Sequence, residues 1–540
     1  MSFRVNNNSQ MKPIIKNIYK QIDEINAIID SEEIPDDKNY LIWRSLNGVG
    51  NNLEHPNWGK TNIPLLRRTP IDYADGISTL SVRGPENPNP RVISNKICEQ
   101  VSTEGNPYGM TDMVWGWGQF LSHELAITPN GTIDASFKSP PDDEFPDRTI
   151  NFKRSVIVPG YSPNQQPNGL TPYIDASNVY GANDVRLSGL RLNDGTGRLK
   201  YEYSKNGEIV LPLNVDNLPN ANNGKPADTM FLAGDVRSNE NVALTCMHTL
   251  FMREHNRLCL NIINEKPEWK YKDELIFQQA KRILSGIMQS ITYNEFLPAL
   301  FGEDFPKYEG YKDNVNPGIL TEFATVAYRI GHTLVTSKSQ IGDNPDHFLE
   351  LRHTFFNPDF IKQNGVDGLL YGSTLKECNN IDNQVISALR SFLFGPPTAT
   401  NLLDLAALNI QRGRDRGVPV YNAFRESFGL KKVNSFEQIT KDKRISEGLK
   451  EIYKNVEYID PWIGILAEDH LPGATIGPLM KNILTDQFIN IRSGDRFWYE
   501  IDPALSSVEK AMITNTKLCD VISRNTTIPS SKMNVNVFRM

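Results

Sequence analysis

The sequence predicts a mainly α protein in which long irregular loops join the helices and β structure is sparse. Apolar residues recur at helical spacing in several long segments, whereas the alternating patterns typical of strands are short and scattered. Stretches rich in Gly, Pro and Asn separate the helical patterns and favour turns. These three observations together indicate helices packed on helices.

Helical patterns and loops alternate along the chain. Residues 1–39 are polar and carry one amphipathic pattern over 13–29, which predicts an N-terminal arm. The stretch 40–91 is crowded with Gly, Pro, Asn and Trp and is predicted to wrap a surface, while 203–228 and 339–382 are similarly loop-like. Helices are predicted over 111–126, 242–264, 273–300, 319–336, 383–394, 401–412 and 474–490.

Charge and hydropathy narrow the choice of partners. The chain has 57 Lys and Arg against 64 Asp and Glu, and its net charge of −7 is the wrong sign for binding nucleic acid along a basic groove. No run approaches the ~18 apolar residues of a membrane-spanning helix, so no membrane span is expected. The five cysteines are odd in number and include no Cys-x-x-Cys pair, which argues against a disulfide scaffold and most structural zinc sites.

His123 lies on the apolar pattern of 111–126 and shares a helix face with Gln119, four residues earlier. The pair His123–Glu124 opens like a zinc-protease motif, but Ile127 stands where that motif needs its second imidazole. A zinc protease is therefore not predicted. The pattern alone also fits a buried structural histidine.

A second histidine, His332, lies in the apolar segment FATVAYRIGHTLV, one turn after Arg329. One imidazole on an apolar helix suits an axial ligand of haem iron, and it suits a core histidine equally well. Asn409 and Arg412 show the same one-turn spacing in DLAALNIQRGRDRG, which offers a carboxamide and a guanidinium on one helix face.

Taken together, six segments resemble the animal-type haem peroxidases, also called the peroxidase–cyclooxygenase superfamily. They occur in the family's order over nearly the whole chain, so the resemblance implies the animal haem peroxidase fold, with haem between core helices. It also implies an N-terminal arm over 1–39, a single catalytic domain over 40–527 and a C-terminal tail over 528–540. The segments are WGQFLSHELAITP, YIDASNVYG, GDVRSNENVALTCMHTLFMREHNRL, YRIGHTL, LNIQRGRDRGVPVYNAFR and SGDRFWYE.

The resemblance assigns roles to residues on both sides of the haem. It implies that His123 is the distal acid–base catalyst, with Gln119 beside it, and that Arg237 is the distal arginine. It implies that His332 is the proximal ligand of the iron. On the proximal side, Asn409 is expected to accept a hydrogen bond from the other ring nitrogen of His332, and Arg329 and Arg412 to pair with the haem propionates.

The attachment of the haem is expected to differ from that in many members. Those members form one ester through an Asp just before the distal histidine and another through a Glu three residues after the distal arginine. Here Ser122 occupies the first position and Glu240 the second, so haem b with a single ester through Glu240 is expected. Asn241 stands where myeloperoxidase has a sulfonium-forming Met, which lowers the expected oxidising power.

A calcium ion is a second implied cofactor. Its ligands in the family come from the residue after the distal histidine and from a loop, and oxygen ligands of these types suit Ca²⁺. The residue after the distal histidine is usually Asp, and Glu is a departure that keeps the charge. The corresponding residues here are Glu124, Thr171, Tyr173 through its backbone carbonyl, Asp175 and Ser177.

The implied activity is reduction of hydrogen peroxide through an oxoferryl porphyrin radical, coupled to oxidation of small anions such as iodide, thiocyanate or bromide, or of phenolic donors, in antimicrobial defence. A fatty-acid dioxygenase uses the same scaffold with a radical Tyr three residues before the proximal histidine. Arg329 stands there, and Tyr328, one residue away, is expected to point elsewhere on the helix.

A peroxinectin-like adhesion protein is a further alternative. The Arg-Gly-Asp tripeptide of cell attachment is absent, because Ser493 interrupts it in Arg492-Ser493-Gly494-Asp495. We expect secretion, on the strength of the family and of sequons, and a monomer, because the family's cysteine framework is largely missing. The sequons begin at Asn7, Asn130 and Asn525, although the N-terminus lacks the apolar stretch of a signal peptide.

Overall fold

Helices dominate the fold. The computed structural model describes residues 42–101, 105–398 and 402–540 and is 41% helical and 8% strand, so the prediction of a mainly α fold is confirmed. In chain order the α-helices of these residues are α1 (Pro90–Ile97), α2 (Met113–Leu125), α3 (Ser177–Tyr180), α4 (Asp184–Leu190), α5 (Val242–Glu265), α6 (Asp273–Ile291), α7 (Leu297–Phe301), α8 (Thr321–Thr325), α9 (Gly331–Leu334), α10 (Pro358–Asn364), α11 (Asp367–Leu375), α12 (Ser387–Arg390), α13 (Leu405–Asp415), α14 (Tyr421–Ser427), α15 (Lys443–Tyr453), α16 (Pro461–Ala467), α17 (Pro478–Ser493), α18 (Ser507–Asn515) and α19 (Leu518–Asn525).

Strands occur as short antiparallel pairs. In the described parts of the chain each pair forms its own two-stranded sheet, β1 with β6, β2 with β5, β3 with β4, β7 with β8 and β9 with β10. None of these pairs forms part of a larger sheet, so helix packing builds the core. The strands are β1 (Ile63–Pro64), β2 (Asn130–Asp134), β3 (Phe137–Lys138), β4 (Thr149–Ile150), β5 (Lys153–Ser155), β6 (Pro167–Asn168), β7 (Glu202–Tyr203), β8 (Ile209–Val210), β9 (Lys338–Gln340) and β10 (Phe348–Glu350).

Helix α2 lies at the centre of the molecule. It packs against the long helix α5 and against the short helix α9, and the Phe120 ring stacks on Phe251 of α5 with centroids 5.1 Å apart. The helix ends at Leu125, because the next residue, Ala126, is extended and Pro129 follows three residues later. This packing carries His123, on α2, towards His332, on α9.

Two predicted helices are interrupted. The 273–300 pattern forms α6, a π-helical turn at Thr292–Phe296 and then α7. The 319–336 pattern forms α8, a 3-10 turn at Ala327–Arg329 and then α9, because Val326 leaves helical geometry with φ −122° and ψ −73°. A continuous apolar run does not reveal such a break, since both sides of it are buried.

Other predictions differ more strongly. The 383–394 helix shortens to α12, and the loop predicted over 339–382 contains α10 and α11. Helix α10 has Pro358 at its first position and is preceded by Asn357, whose side chain accepts a hydrogen bond from Phe360 N. Both features are typical of a helix start, and the prediction of a loop from composition did not take them into account. The arm over 1–39, with its helix at 13–29, lies outside the described residues.

The end of the chain is part of the core. Val537 and Phe538 are buried, Thr111 N donates to Phe538 O at 3.2 Å, and the Phe538 ring contacts Trp117 of α2. The sequence predicts a C-terminal tail over 528–540, and the structure shows that Val537 and Phe538, near its end, pack beside α2. Within the described residues no helix combines the length and apolar character that crossing a membrane requires.

Candidate functional site

One cavity of about 160 Å³ has both predicted haem histidines in its walls. It lies where α2, the start of α5 and α9 meet. Gln119, Ser122, His123, Glu240 and Asn241 provide polar atoms on one side. The rest of the wall is largely apolar and includes Val114, Trp115, Phe296, Leu334, Val335, Leu351, Phe355, Leu389, Leu393, Phe394 and Leu405.

His123 is held neutral. Only 6% of its surface is exposed, and burial, together with the charge on Arg237, lowers the pKa of its imidazole well below the usual range. A neutral imidazole offers one ring nitrogen as a proton acceptor. His123 can therefore take a proton from a ligand in the cavity over the whole physiological pH range.

Arg237 is fixed behind His123 by Asp235. Its Nε donates to Asp235 Oδ1 at 2.8 Å and its Nη2 to Asp235 Oδ2 at 2.7 Å, while Nη1 donates to the carbonyl of Ala126 at 3.1 Å. The guanidinium thus lies at the carboxyl end of α2 and is not among the residues that line the cavity.

Asp235 is the site residue that the sequence analysis missed. Its Oδ1 is 3.5 Å from Nδ1 of His123, a nitrogen that has no hydrogen-bond partner among the described atoms. Burial alone would raise the pKa of Asp235, but the charge of Arg237 and the hydrogen bonds that Arg237 donates hold it below its usual range, so the carboxylate is ionised. An acidic residue two positions before Arg237, in GDVRSNE, was the available signal.

Gln119 is tied to the start of α5. Its Nε2 donates to Glu240 Oε1 at 3.2 Å, and its Oε1 accepts from Asn241 Nδ2 at 2.8 Å. Burial, with a smaller contribution from Asp235, raises the pKa of Glu240 to about 6 against the opposing charge of Arg237. A carboxyl that is partly protonated near neutral pH therefore lines the cavity.

His332 lines the cavity, and Asn409 and Arg329 contact one another behind it. Asn409 Nδ2 is 2.7 Å from Nδ1 of His332, and Arg329 Nη1 donates to Asn409 Oδ1 at 2.6 Å. The predicted contact is present, but the amide nitrogen faces the imidazole. For Nδ1 of His332 to be the donor, the amide must rotate by half a turn, and Arg329 must then donate elsewhere.

The charge of Arg329 has no carboxylate partner within the described ranges. Burial, followed by the nearby charge of Arg412, lowers the pKa of Arg329 to about 10. Desolvation in the cavity wall, together with Arg329, lowers the pKa of His332 to about 3, so its imidazole is neutral and able to ligate a metal. An anion beside Arg329 would complete this arrangement.

Arg412 is turned away from the cavity. Its Nη1 donates to Asp415 Oδ2 at 3.0 Å and to Ser155 Oγ at 3.0 Å, and its guanidinium lies 4.1 Å from the centroid of the Phe152 ring. Asp415, three residues later on α13, is a nearer partner than any group in the cavity. The structure therefore does not bring Arg412 to the position expected for a propionate partner.

Tyr328 lines the cavity, contrary to the expectation that it points elsewhere. The expectation assumed a continuous helix, whereas Tyr328 lies in the 3-10 turn that separates α8 from α9. Its ring stacks on Phe323 with centroids 4.6 Å apart, and its hydroxyl has no hydrogen-bond partner among the described atoms.

The residues predicted to bind calcium lie together but do not form a cation cradle. Glu124 Oε1 accepts from Asp175 N at 2.7 Å, and its Oε2 accepts from Asn178 N at 2.8 Å. Thr171 Oγ1 donates to Asp175 Oδ2 at 2.9 Å, and the Tyr173 hydroxyl donates to Trp58 O. Hydrogen bonds from within the chain thus engage the carboxylates of Glu124 and Asp175, which a calcium ion would need as ligands.

The segment weighed as a cell-attachment motif is buried. Asp495 is 1% exposed and Arg492 is 6% exposed, and Asp495 accepts hydrogen bonds from Arg44 at 2.8 Å and from Asn51 at 2.8 Å. This segment therefore offers no surface to a receptor.

Known proteins that resemble this chain include haem peroxidases, in agreement with the two histidines in the cavity wall. The animal haem peroxidase family model matches residues 43–538. Peroxinectin A from Dictyostelium discoideum is 36% identical over 528 residues, which cover 92% of this chain and 96% of that protein. The solved structure of peroxidase A from Dictyostelium discoideum matches with a TM-score of 0.85 at 35% identity, over 92% of this chain and 99% of that chain.

A more distant likeness concerns the fold alone. A fatty acid alpha-dioxygenase from Oryza sativa matches with a TM-score of 0.79 at 20% identity, over 98% of this chain and 93% of that chain. The family match and the two relatives above confirm the expected fold and the expected class of enzyme, a haem peroxidase. The chain belongs to the animal haem peroxidase family.

Proposed function

We propose that the protein reduces hydrogen peroxide at a haem b held in the cavity between His123 and His332 and oxidises small anionic or phenolic donors. The observation that carries this proposal is the pair of neutral imidazoles in the walls of one largely apolar cavity. A flat apolar macrocycle suits such walls, and an imidazole suits its iron. When bound, haem supplies the metal that binds peroxide and the electrons that reduce it.

The proximal side would be held by His332 and the groups behind it. With the Asn409 amide rotated, its oxygen accepts from Nδ1 of His332, which leaves Nε2 free to ligate iron. Arg329, released from Asn409, then donates to a propionate, for which a guanidinium fork is well shaped. Among the described residues Arg329 has no carboxylate partner, which supports this role.

On the distal side, His123 would move the protons. Its neutral ring accepts a proton from hydrogen peroxide and returns it to the departing oxygen, which leaves as water. Arg237 keeps a positive charge behind His123 and so favours release of that proton. Asp235 would orient both groups, because it binds Arg237 through two hydrogen bonds and faces Nδ1 of His123. Gln119 would help to position the peroxide.

Glu240 would fix the haem through one ester. Its carboxyl lines the cavity, and Gln119 donates to one of its oxygens. Ser122 also lines the cavity but has no carboxylate, so a second ester at this position is not available. Glu240 is therefore proposed as the single point of covalent attachment.

The donors would be small. We propose iodide, thiocyanate, bromide and phenols as these donors, and antimicrobial defence as the purpose of their oxidation. We place the protein outside the cell as a monomer. The sequon at Asn130 is exposed, which supports secretion. All five cysteines are buried and unpaired, so none is placed to form a disulfide between chains.

Steady-state oxidation of iodide by hydrogen peroxide tests this proposal. We expect His123→Ala to lower the rate by on the order of 100-fold or more, since a positioned acid–base group contributes at least that factor. The exposed His347 provides a matched control, and His347→Ala is expected to retain the wild-type rate. Equal activity of His123→Ala and His347→Ala would contradict the assignment.

A second candidate function is fatty-acid dioxygenation, and the position of Tyr328 in the cavity wall favours it. A phenol there could pass a hydrogen atom to an oxidant in the cavity and then take one from a lipid chain. Oxygen uptake with palmitate would reveal this activity, and it should vanish in Tyr328→Phe while iodide oxidation persists. Absence of oxygen uptake by the wild type would exclude it.

A further inference from the structure

Glu124 and the loop 171–178 are arranged differently from a cation site. Glu124 is fully buried, and its carboxylate points at the backbone of the loop rather than into a space between oxygen ligands. The hydrogen bonds that the carboxylate accepts decide what this arrangement can hold.

Both oxygens of Glu124 accept hydrogen bonds from the loop. Oε1 accepts from Asp175 N at 2.7 Å and also from Ala176 N. Oε2 accepts from Asn178 N at 2.8 Å, and the Ser177 hydroxyl lies 3.3 Å from both Oε2 and the carbonyl oxygen of Glu124. A carboxylate offers about four lone-pair directions, and backbone amides occupy three of those of Glu124.

Asp175, the other carboxylate of the loop, is also engaged. Its Oδ1 accepts from Ser177 N at 3.0 Å, and its Oδ2 accepts from Thr171 Oγ1 at 2.9 Å. Three backbone N–H groups thus converge on Glu124, and their positive ends would repel a cation. Calcium requires six to eight oxygen ligands, and the strongest candidates here are already committed to hydrogen bonds.

Positive charge of the protein is present nearby. Lys281 is 4% exposed, its Nζ lies 5.6 Å from the centroid of the Tyr180 ring, and its charge acts on Asp175 and on Glu124. The charge of Arg44 also acts on Asp175. Lys281 therefore offsets part of the negative charge that a divalent ion would otherwise neutralise.

We infer that Glu124 closes this loop in place of calcium, so that the chain folds and works without a bound cation there. The extra methylene of Glu over Asp lets the carboxylate reach the three amides, and the loop is then fixed by hydrogen bonds. The same loop keeps its place against α2, because Asn178 Nδ2 donates to Phe120 O at 2.9 Å. This inference does not depend on the haem chemistry proposed above.

The test uses the full-length holoprotein purified in the presence of calcium. After gel filtration in calcium-free buffer, elemental analysis is expected to find no stoichiometric calcium, and the thermal unfolding midpoint is expected to be the same in EGTA and in calcium chloride. One calcium per chain, or a midpoint lowered by EGTA, would overturn the inference.

The variant Glu124→Asp is expected to gain a response to calcium. Its shorter side chain withdraws from the amides and opens room for an ion, so we expect calcium chloride to raise its unfolding midpoint by roughly 2 °C when the ion is in large excess over its Kd. Glu86, which is exposed, gives the matched control Glu86→Asp, with no calcium response expected. A folded Glu124→Asp without a calcium response would also overturn the inference; if it fails to fold, the wild-type measurements decide alone.

Discussion

Replacing Asp235 by Asn tests how the distal groups are held in place. Asp235 is buried, accepts hydrogen bonds from Arg237 at 2.8 and 2.7 Å, and lies 3.5 Å from Nδ1 of His123. Asn keeps the shape of the side chain but removes its charge and turns an NH₂ group towards the guanidinium or the imidazole. The guanidinium then loses its ionic partner, and His123 loses the carboxylate that favours a proton on Nδ1.

The magnitude follows from this geometry. Breaking a buried ion pair by removing one partner costs about 3–5 kcal/mol. Because 18% of the Arg237 side chain is exposed and water can solvate it in part, we expect a smaller loss of unfolding free energy, about 2–3 kcal/mol. The rate of reaction with hydrogen peroxide should fall by on the order of 100-fold, since a misoriented acid–base group loses most of its contribution.

Stopped-flow absorbance in the Soret region measures this rate, and urea unfolding measures the stability. Asp134, which is exposed and pairs with Lys153 at 3.1 Å, supplies the matched control, and Asp134→Asn is expected to match the wild type in both assays. Asp235 does not line the cavity, so haem content should be unchanged. A wild-type peroxide rate in folded Asp235→Asn would refute the role given to this carboxylate.

Three other predictions concern the haem link, the buried histidines and glycosylation. Acid–organic extraction should release haem from Glu240→Ala but not from the wild type, and Ser122→Asp should add a second link that survives in Glu240→Ala; freely extracted wild-type haem would contradict the ester. Burial lowers the pKa of both His248 and His255 to about 4, whereas a histidine in an unfolded chain titrates near ~6.5. Between these two pH values the unfolded chain binds more protons than the folded one, so the free energy of unfolding in urea should fall as the pH is lowered from ~6.5 to ~4, and these two histidines should not change it above pH ~6.5. A free energy of unfolding that does not fall would contradict the buried neutral state. In protein secreted from eukaryotic cells, mass spectrometry of peptides should find glycan at the exposed Asn130 and none at Asn525, whose Nδ2 donates to Glu254 at 2.7 Å and to Val521 O at 2.9 Å; a glycan on Asn525 would show that this contact is absent.

The sequence predicted the parts of the fold that depend on local periodicity. Helices α2 and α5 carry long apolar patterns with clear ends, and the structure places them within a few residues of the prediction. The segment around His332 differed from the predicted continuous helix. The helix breaks at Val326, and the sequence does not show this break because the residues on both sides of it are apolar and buried. That break explains why Tyr328 reaches the cavity, which a continuous helix would not allow.

Site residues that belong to a sequence motif could be predicted. Contacts between residues that are distant in sequence could not. His123, Gln119, Glu240 and His332 all line one cavity. The turn of Arg412 towards Asp415 and Ser155 could not be foreseen, since spacing along α13 places Arg412 near Asn409 without saying which neighbour it prefers.

The hydrogen bonds that Glu124 accepts from the loop could not be predicted from the sequence either. The substitution of Glu for the family's usual Asp is visible there, but the three amides that its carboxylate reaches belong to a loop about fifty residues later in the chain. Only their arrangement in space shows that one added methylene changes what the loop can bind.

The most direct test of the central claim is the visible absorbance spectrum of the wild-type protein and of His332→Ala after reconstitution with haem. The account predicts a Soret band with bound haem in the wild type, and loss of the imidazole-ligated spectrum in His332→Ala, with partial recovery when free imidazole is added. Identical spectra for the two proteins, or no haem bound by the wild type, would contradict the assignment of His332 as the iron ligand in this cavity.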